Sequence, residues 1–272
     1  MQAWDRAAAW IESQDPSSWR GVAIGAWRRY RAVDGPLQSA LLSLYILVAV
    51  LPALLVTEEY LDSHPAALAQ QVVRHYDLNG TTATMLHDVL ANTRTHELGS
   101  ALLAIGGALV FGLGFGHVLQ LVHSRAWDVA LPERVSDQLL YAAVLFVVYL
   151  FVLLIEVQVT EVGGSAWVEL LFALAWAVVL ALFFTWSPWL LLHRQVAARD
   201  LLPAGILTAV GLVLLLLVSS LVLSFWVDLY ARDYGGFGVV LAIYFWVAFG
   251  SFMIVASASL APALAHRRSL RA

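Results

Sequence analysis

Residues 201–227 read LLPAGILTAVGLVLLLLVSSLVLSFWV, a run without Asp, Glu or Arg. A helix of that length extends about 40 Å, longer than the ~30 Å hydrocarbon core of a bilayer, which about 20 apolar residues cross. Five more stretches have the same character: 35–57, 98–124, 138–155, 170–193 and 234–266. Trimmed by hydropathy, the six predict spans over 37–56, 98–122, 138–158, 167–191, 203–226 and 238–263. None shows the polar/apolar alternation of a barrel strand, and in lipid every backbone polar group must be satisfied within its own segment. The expected fold is therefore all-α, a polytopic membrane bundle of six transmembrane helices.

Composition agrees. The 272 residues are 61% hydrophobic and 12% charged, with a mean hydropathy of +0.79. Soluble domains carry about 25% charged residues, so an ordinary soluble enzyme, a disordered chain and a nucleic-acid binder driven by basic charge are excluded. There is no cysteine, which removes disulfides, thiolate metal sites and S-acylation. There is also no lysine, so all 15 basic residues are arginine.

The arginines orient the bundle, because cytoplasmic loops accumulate them. Arg6, Arg20, Arg28, Arg29 and Arg31 precede the first span; Arg125 and Arg134 follow the second, Arg194 and Arg199 the fourth, and Arg267, Arg268 and Arg271 the sixth. Only Arg74, Arg94 and Arg232 fall on the other side. Both termini are thus expected in the cytoplasm. An even number of spans requires the same arrangement. The chain divides into a cytoplasmic interfacial segment (1–36), a six-helix domain (37–265) and a cytoplasmic tail (266–272).

The first 34 residues are too polar for a signal peptide. Within them, SSWRGVAIGAWRRYRAV (17–33) interleaves Trp19, Trp27 and Tyr30 with arginines. This suits either a helix lying in the inner headgroup layer or a plain topology anchor. Asp34-Gly35-Pro36 is expected to break the chain before the first span. On the outer side, 58–97 reads as a helical hairpin, with amphipathic segments 65–76 and 81–96 joined at Asp77-Leu78-Asn79-Gly80. Gly163-Gly164-Ser165 reads as a tight outer turn, and no internal repeat is evident.

The second span repeats small residues every four positions, Ser100, Ala104, Ala108, Gly112 and Gly116, with Gly106, Gly107 and Gly114 beside them. Such a ridge lets a neighbouring helix approach closely; it would also suit a glycine-lined path or contact with a second copy of the chain. His117 and Gln120 follow it on a similar face, as an interhelical hydrogen-bonding pair or as part of a transport path. Glu156 and Glu169, with Glu161 between them, make an acidic outer mouth, which is either solvated charge or an attractor of cations. No Asp, Glu or Arg sits at the midplane of any span, which disfavours a proton or sodium relay.

Enzyme readings fare worse. The outer histidines, His64, His75, His87 and His96, lack paired helical ligand spacing, and no metal or other cofactor is expected. Cytoplasmic carboxylates are too thinly spread for a nuclease. Ser251 and His117 lie at different depths, unsuited to an intramembrane serine protease.

The chain resembles the YihY/BrkB family of bacterial inner-membrane proteins. The residues that carry the likeness are the arginine-aromatic lead-in, Asp34, the span ALLSLYILVAVLPALL with Pro52, and the glycine-rich second span. The turn HRQVAARDLLPAG, ending on Pro203 and Gly205, adds to it. So does YARDYGGFGVVLAIYFWVAFG, in which Tyr230, Tyr234, Gly235 and Gly238 match the family's YG-x-x-G entry to the last span. The ending SASLAPAL departs from the family's GA-E-type ending. The resemblance implies six helices with cytoplasmic termini, and a role among cell-envelope factors and exporters, including those of lipid-like substrates. The family's old label, ribonuclease BN, finds no support in these residues, and no nucleic-acid partner is expected.

The function expected is a plasma-membrane transporter or lipid-translocating envelope protein. Gly112, Gly116, His117 and Gln120 would line or gate its path, Glu156 and Glu169 would shape its outer mouth, and membrane lipids would be its partners. The alternative is a non-transporting scaffold that recruits envelope partners.

Overall fold

The computed structural model describes residues 15, 18–61, 84, 98–130, 136, 139, 143 and 166–270. They form six long helices: α1 (Trp19–Ala32), α2 (Gly35–Leu61), α3 (Leu98–Trp127), α4 (Ala166–Leu191), α5 (Ala198–Tyr234) and α6 (Gly236–Ser269). Among the described residues there is no strand. The expected spans 37–56, 98–122, 167–191, 203–226 and 238–263 each fall within one helix, α2 to α6 respectively. The span 138–158 lies outside the described residues apart from Leu139 and Ala143, both helical. The hairpin segments 65–76 and 81–96 lie outside them except for Thr84, as does the turn at 163–165. Helix α2 runs on to Leu61, past the expected loop boundary at 58.

Among the described residues, Leu174–Leu191, Ala198–Ser219 and Phe237–Ser269 are each long and apolar enough to cross a membrane. The pair Trp19–Ala32 and Gly35–Ala49 also qualifies, bent by 63° at its break. That bend is the expected interruption at Asp34-Gly35-Pro36. Asp34 takes a left-handed φ of 56°, a conformation that aspartate tolerates better than most residues. Gly35 then restarts the helix where a Cβ would overlap the ring of Tyr30. Helix α1 is capped at the other end by Ser18, whose Oγ accepts from the Gly21 N–H at 3.0 Å.

The remaining helix ends follow local chemistry too. Asp128, at φ 54°, closes α3, and the Val129 N–H reaches back to the Ser124 carbonyl at 2.9 Å, a Schellman-type end. After α4, His193 and Arg194 both have positive φ, and the Arg194 N–H donates to the Trp189 carbonyl at 3.0 Å. The chain can thus reverse within six residues and start α5 at Ala198. Between α5 and α6 the reversal is a single residue. Gly235 has φ 62° and ψ −143°, a combination essentially open to glycine alone.

Helix α6 is the spine of the bundle, packing on α5, α2 and α1 and touching α3, while α4 packs on α5 and α3 on α2. The main core lies toward the end that carries α1. Tyr30, Val33, Leu42, Phe115, Leu119, Val122, Phe183, Leu191, Val255 and Ala258 are buried together there. Where α5 meets α6 near their turn, Val227, Ala231, Val239 and Ala242 form a second cluster. A Cβ on Gly238 would overlap the Tyr230 carbonyl oxygen, so this crossing needs a glycine. By contrast, among the described residues nothing lies within 4 Å of a Cβ built on Gly106.

Gly238→Ala should therefore destabilise the purified protein by about 1–3 kcal/mol, the usual result of forcing atoms into a filled contact. Gly106→Ala should be neutral or slightly stabilising, since alanine favours helix. Thermal unfolding of both variants in one detergent, followed by tryptophan fluorescence, checks the pair.

Candidate functional site

Two cavities stand out, one at the end of the bundle that carries α1 and one deeper inside. The first, about 790 Å³, is walled by residues from four helices and the turn after α3. Helix α1 contributes Arg29, α3 Arg125, Ala126 and Trp127, and the turn after it Asp128. Helix α5 contributes Arg199 and Asp200, and α6 Pro262, His266, Arg268 and Ser269. Four arginines from distant parts of the chain thus share one mouth. Arg125 is bonded to Asp34 at 3.3 Å, across a pair whose side chains are 43% and 63% exposed. Among the described residues, Arg29, Arg199 and Arg268 have no carboxylate within ion-pair distance. The first turn of α5 enters the same wall with Ala197 as its N-cap, so no side chain caps its N–H groups. Trp127, also in the wall, has a buried indole N–H without a hydrogen-bond partner among the described residues.

Aromatic contacts hold the mouth's rim. The Arg267 guanidinium lies 3.7 Å over the Trp19 ring, pinning the start of α1 to the end of α6. Arg194 lies 4.7 Å over Trp189 at the end of α4. Trp27 stacks on Tyr30, which packs edge-on against Phe252. The outward side of α1 leaves Trp19 and Trp27 exposed beside Arg20, Arg28 and Arg31. That mixture of aromatic and cationic groups suits a headgroup layer.

The second cavity is a cleft of about 180 Å³ at the middle of the bundle. Ile46, Phe115, Trp176, Leu180, Phe183, Leu212, Leu216, Trp246, Gly250 and Ser251 are among its walls, so all five long helices α2 to α6 take part. Several hydroxyls in these helices bond a carbonyl of their own helix, as Thr185 does to Ala181 at 2.7 Å and Ser259 to Val255 at 2.9 Å. Ser251 does not. Among the described residues its buried Oγ has no partner, and neither has the indole N–H of Trp246. Two orphaned donors in an otherwise apolar wall are costly to leave unsatisfied.

Between mouth and cleft the bundle is closed. Leu119, Gln120, Val122, Val255 and Ala258 are essentially inaccessible. Gln120 donates from Nε2 to the Leu191 carbonyl at 3.1 Å, tying α3 to the last turn of α4, and its Oε1 has no partner among the described residues.

The sequence-predicted residues separate accordingly. Gly112 and Gly116 are buried, as is Gln120, whereas His117 is exposed. A helix turns about 100° per residue, so positions 117 and 120 differ by roughly 60°, and that difference carries one to the surface and the other into the core. Gly114, beside the ridge, makes a tight contact as well, since a Cβ there would overlap the Tyr45 ring of α2. Glu156 lies outside the described residues; Glu169 lies in the first turn of α4, its side chain outside the description. Of the motif residues, Asp34 makes the bend and the ion pair, and Pro203 stands early in α5. Gly205 abuts α4, since a Cβ there would overlap the Thr185 hydroxyl. Tyr230 packs among Trp226, Tyr234 and Phe245, while Gly235 and Gly238 make the turn and the crossing. Pro52 lies within α2, its side chain outside the description.

Sequence reasoning did not single out Arg29, Arg199, Arg268, Trp127, Trp176 or Trp246. The arginines were visible only as an excess on one side, and the tryptophans only as apolar residues among many.

The architecture defines a membrane protein of apolar helices gathered around a central helix. A family model described as virulence factor BrkB matches residues 26–272, and the chain belongs to that family. No curated protein and no solved structure matches it.

Gln120→Ala should lower stability by about 2 kcal/mol or more, because it opens a cavity and strips the Leu191 carbonyl of its donor. His117→Ala should stay within about 0.5 kcal/mol of the parent, as exposed substitutions usually do. Unfolding midpoints in detergent distinguish the two residues.

Proposed function

We propose that the protein spans the bacterial plasma membrane six times with both termini in the cytoplasm, and moves a lipid-like molecule between leaflets. Nine of the described arginines (Arg20, Arg28, Arg29, Arg31, Arg125, Arg194, Arg199, Arg267 and Arg268) gather at the end that carries α1, against Arg232 at the other. That bias supports a cytoplasmic placement of this end. A C-terminal fusion should accordingly be active with a reporter that works only in the cytoplasm and silent with one that works only after export. The reverse pattern would overturn the orientation.

The observation that carries the lipid reading is the pairing of the arginine-lined mouth with the apolar cleft deeper in the same bundle. An ion or a sugar would gain little from a cleft of Leu, Phe and Trp side chains. An acyl or other apolar chain passes from bilayer hydrocarbon into such walls at little cost, and the Ser251 hydroxyl and Trp246 N–H offer hydrogen bonds to an ester or ether oxygen. The mouth would take the polar end of the same molecule. The closed layer at Gln120 and Leu191 would have to open for passage, so the gate in this reading is the α3–α4 contact.

The test is reconstitution into vesicles bearing fluorescent lipids, with chemical quenching of the outer leaflet. Quenching well past the outer-leaflet half, absent from protein-free vesicles, is expected. Ser251→Leu fills the cleft and removes an orphaned hydroxyl. It should raise the unfolding midpoint, as cavity filling does, and slow translocation several-fold. Quenching that stops at one half for every lipid would overturn the reading and favour a scaffold that recruits envelope partners.

A further inference from the structure

We infer that the mouth between α1, α3, α5 and α6 is a binding site for a phosphodiester monoanion, held by Arg29, Arg199 and Arg268 together with the uncapped first turn of α5. The inference rests on the lipid reading only for the source of the ligand, a phospholipid headgroup. The site itself stands on its own geometry.

Topology alone asks for arginines at this end, but not for their convergence. Solvated arginines obeying the positive-inside bias would spread around the rim and point outward. Here four of them, drawn from helices up to 239 positions apart between Arg29 and Arg268, wall a single cavity of about 790 Å³. Three lack a carboxylate partner among the described residues. With Arg125 paired to Asp34, three arginines face Asp128 and Asp200, leaving one net positive charge among these five side chains. A single negative charge matches that balance better than a dianion does.

The shape of the donors points to phosphate over carboxylate. A carboxylate presents two oxygens in one plane and is served by one guanidinium fork. A phosphodiester offers tetrahedrally arranged oxygens that accept from several directions, as guanidinium groups on three different helices require. The start of α5 adds main-chain N–H groups, at Ala198 and Arg199, that no side chain caps. A helix N-terminus of this kind favours phosphate through both its free N–H groups and the helix dipole. Trp127 completes the wall with an apolar face against which the glycerol end of a headgroup would pack.

Binding is measured on the full-length protein in phosphatidylcholine nanodiscs, titrated with short-chain phosphatidylglycerol, with inorganic phosphate and with oleate. Saturable binding of phosphatidylglycerol is expected, with oleate much weaker. Arg199→Ala and Arg268→Ala should each weaken it about tenfold, the usual loss for a charge-assisted hydrogen bond. Arg199→Lys should weaken it several-fold, because the charge is kept and the fork is lost. Arg232→Ala, at the opposite end, should leave it unchanged, and unfolding midpoints confirm that each variant is folded. Wild-type affinity in Arg199→Lys, an equal loss in Arg232→Ala, or oleate binding as tight as phosphatidylglycerol would overturn the site and leave diffuse attraction in its place. If inorganic phosphate binds as tightly as phosphatidylglycerol, the phosphate chemistry stands and the lipid source is overturned. Failure here is separable from failure of the lipid-moving reading. Intact binding without translocation would remove that reading and leave the site, whereas translocation without binding would do the reverse.

Discussion

The bundle depends on how closely other helices can approach α6. A helix that touches four neighbours cannot carry large side chains on every face, since interaxial distances of 8–10 Å leave room only where one side of the contact is small. Helix α6 meets this constraint at both ends. Near its start, Gly238 and Ala242 admit the backbone of α5. Toward its end, Ser257, Ala258, Ser259, Ala261 and Ala263 are all buried, and Gly25 of α1 lies 3.6 Å from the Ala263 methyl by its would-be Cβ. The ending SASLAPAL thereby supplies the small surface on which α1 and α2 rest. In a bilayer this matters more than in water, because lipid offers apolar surface of its own and helix association depends on close packing.

Close packing also decides where polar groups can be afforded. Hydroxyls folded back onto their own helix, such as Ser39 on Gly35 and Thr185 on Ala181, add no demand on the neighbours. Gln120 is different, since it bonds a carbonyl of another helix in a fully buried position. That carbonyl, on Leu191, belongs to the last turn of α4, where in-helix partners run out. One amide thus satisfies an exposed helix end and locks α3 to α4. Among the described residues its second polar atom stays unpaired, as do Ser251 and Trp246 further in. A contact holding one bond while leaving another unmade is easier to exchange than a fully satisfied one, which suits a layer that opens.

Much of this architecture was legible in the chain. Hydrophobic runs placed a span inside each of α2 to α6 because crossing lipid imposes length directly. Asp34-Gly35-Pro36 announced the bend through local backbone preference, and the YG-x-x-G sequence marked the entry to the last span, though not the single-residue reversal at Gly235. What could not be read was pairing across space. His117 and Gln120 looked alike on one helix, and only the position of α4 separates them. The four-residue ridge drew attention to Gly112 and Gly116, both buried, but not to the close approach at Gly114, which Tyr45 on α2 creates. Arginine positions gave the sign of one membrane face and nothing about which guanidinium groups share a cavity.

That last gap is a matter of topology. Arg29, Arg125, Arg199 and Arg268 stand beside one another only because α3 ends, α5 starts and α6 ends on the side where α1 lies. The 63° bend at Asp34 then lays α1 across these ends, held by Arg125 on one side and by Arg267 over Trp19 on the other. The excess of arginine at this end of the bundle is thereby gathered by the bend into a pocket. An anion held there would bridge α1, α5 and α6, and α3 joins the same wall through Arg125 and Trp127. Since α3 also carries Gln120, about one and a half turns before Arg125, occupancy of the mouth and closure of the layer above it act on the same helix.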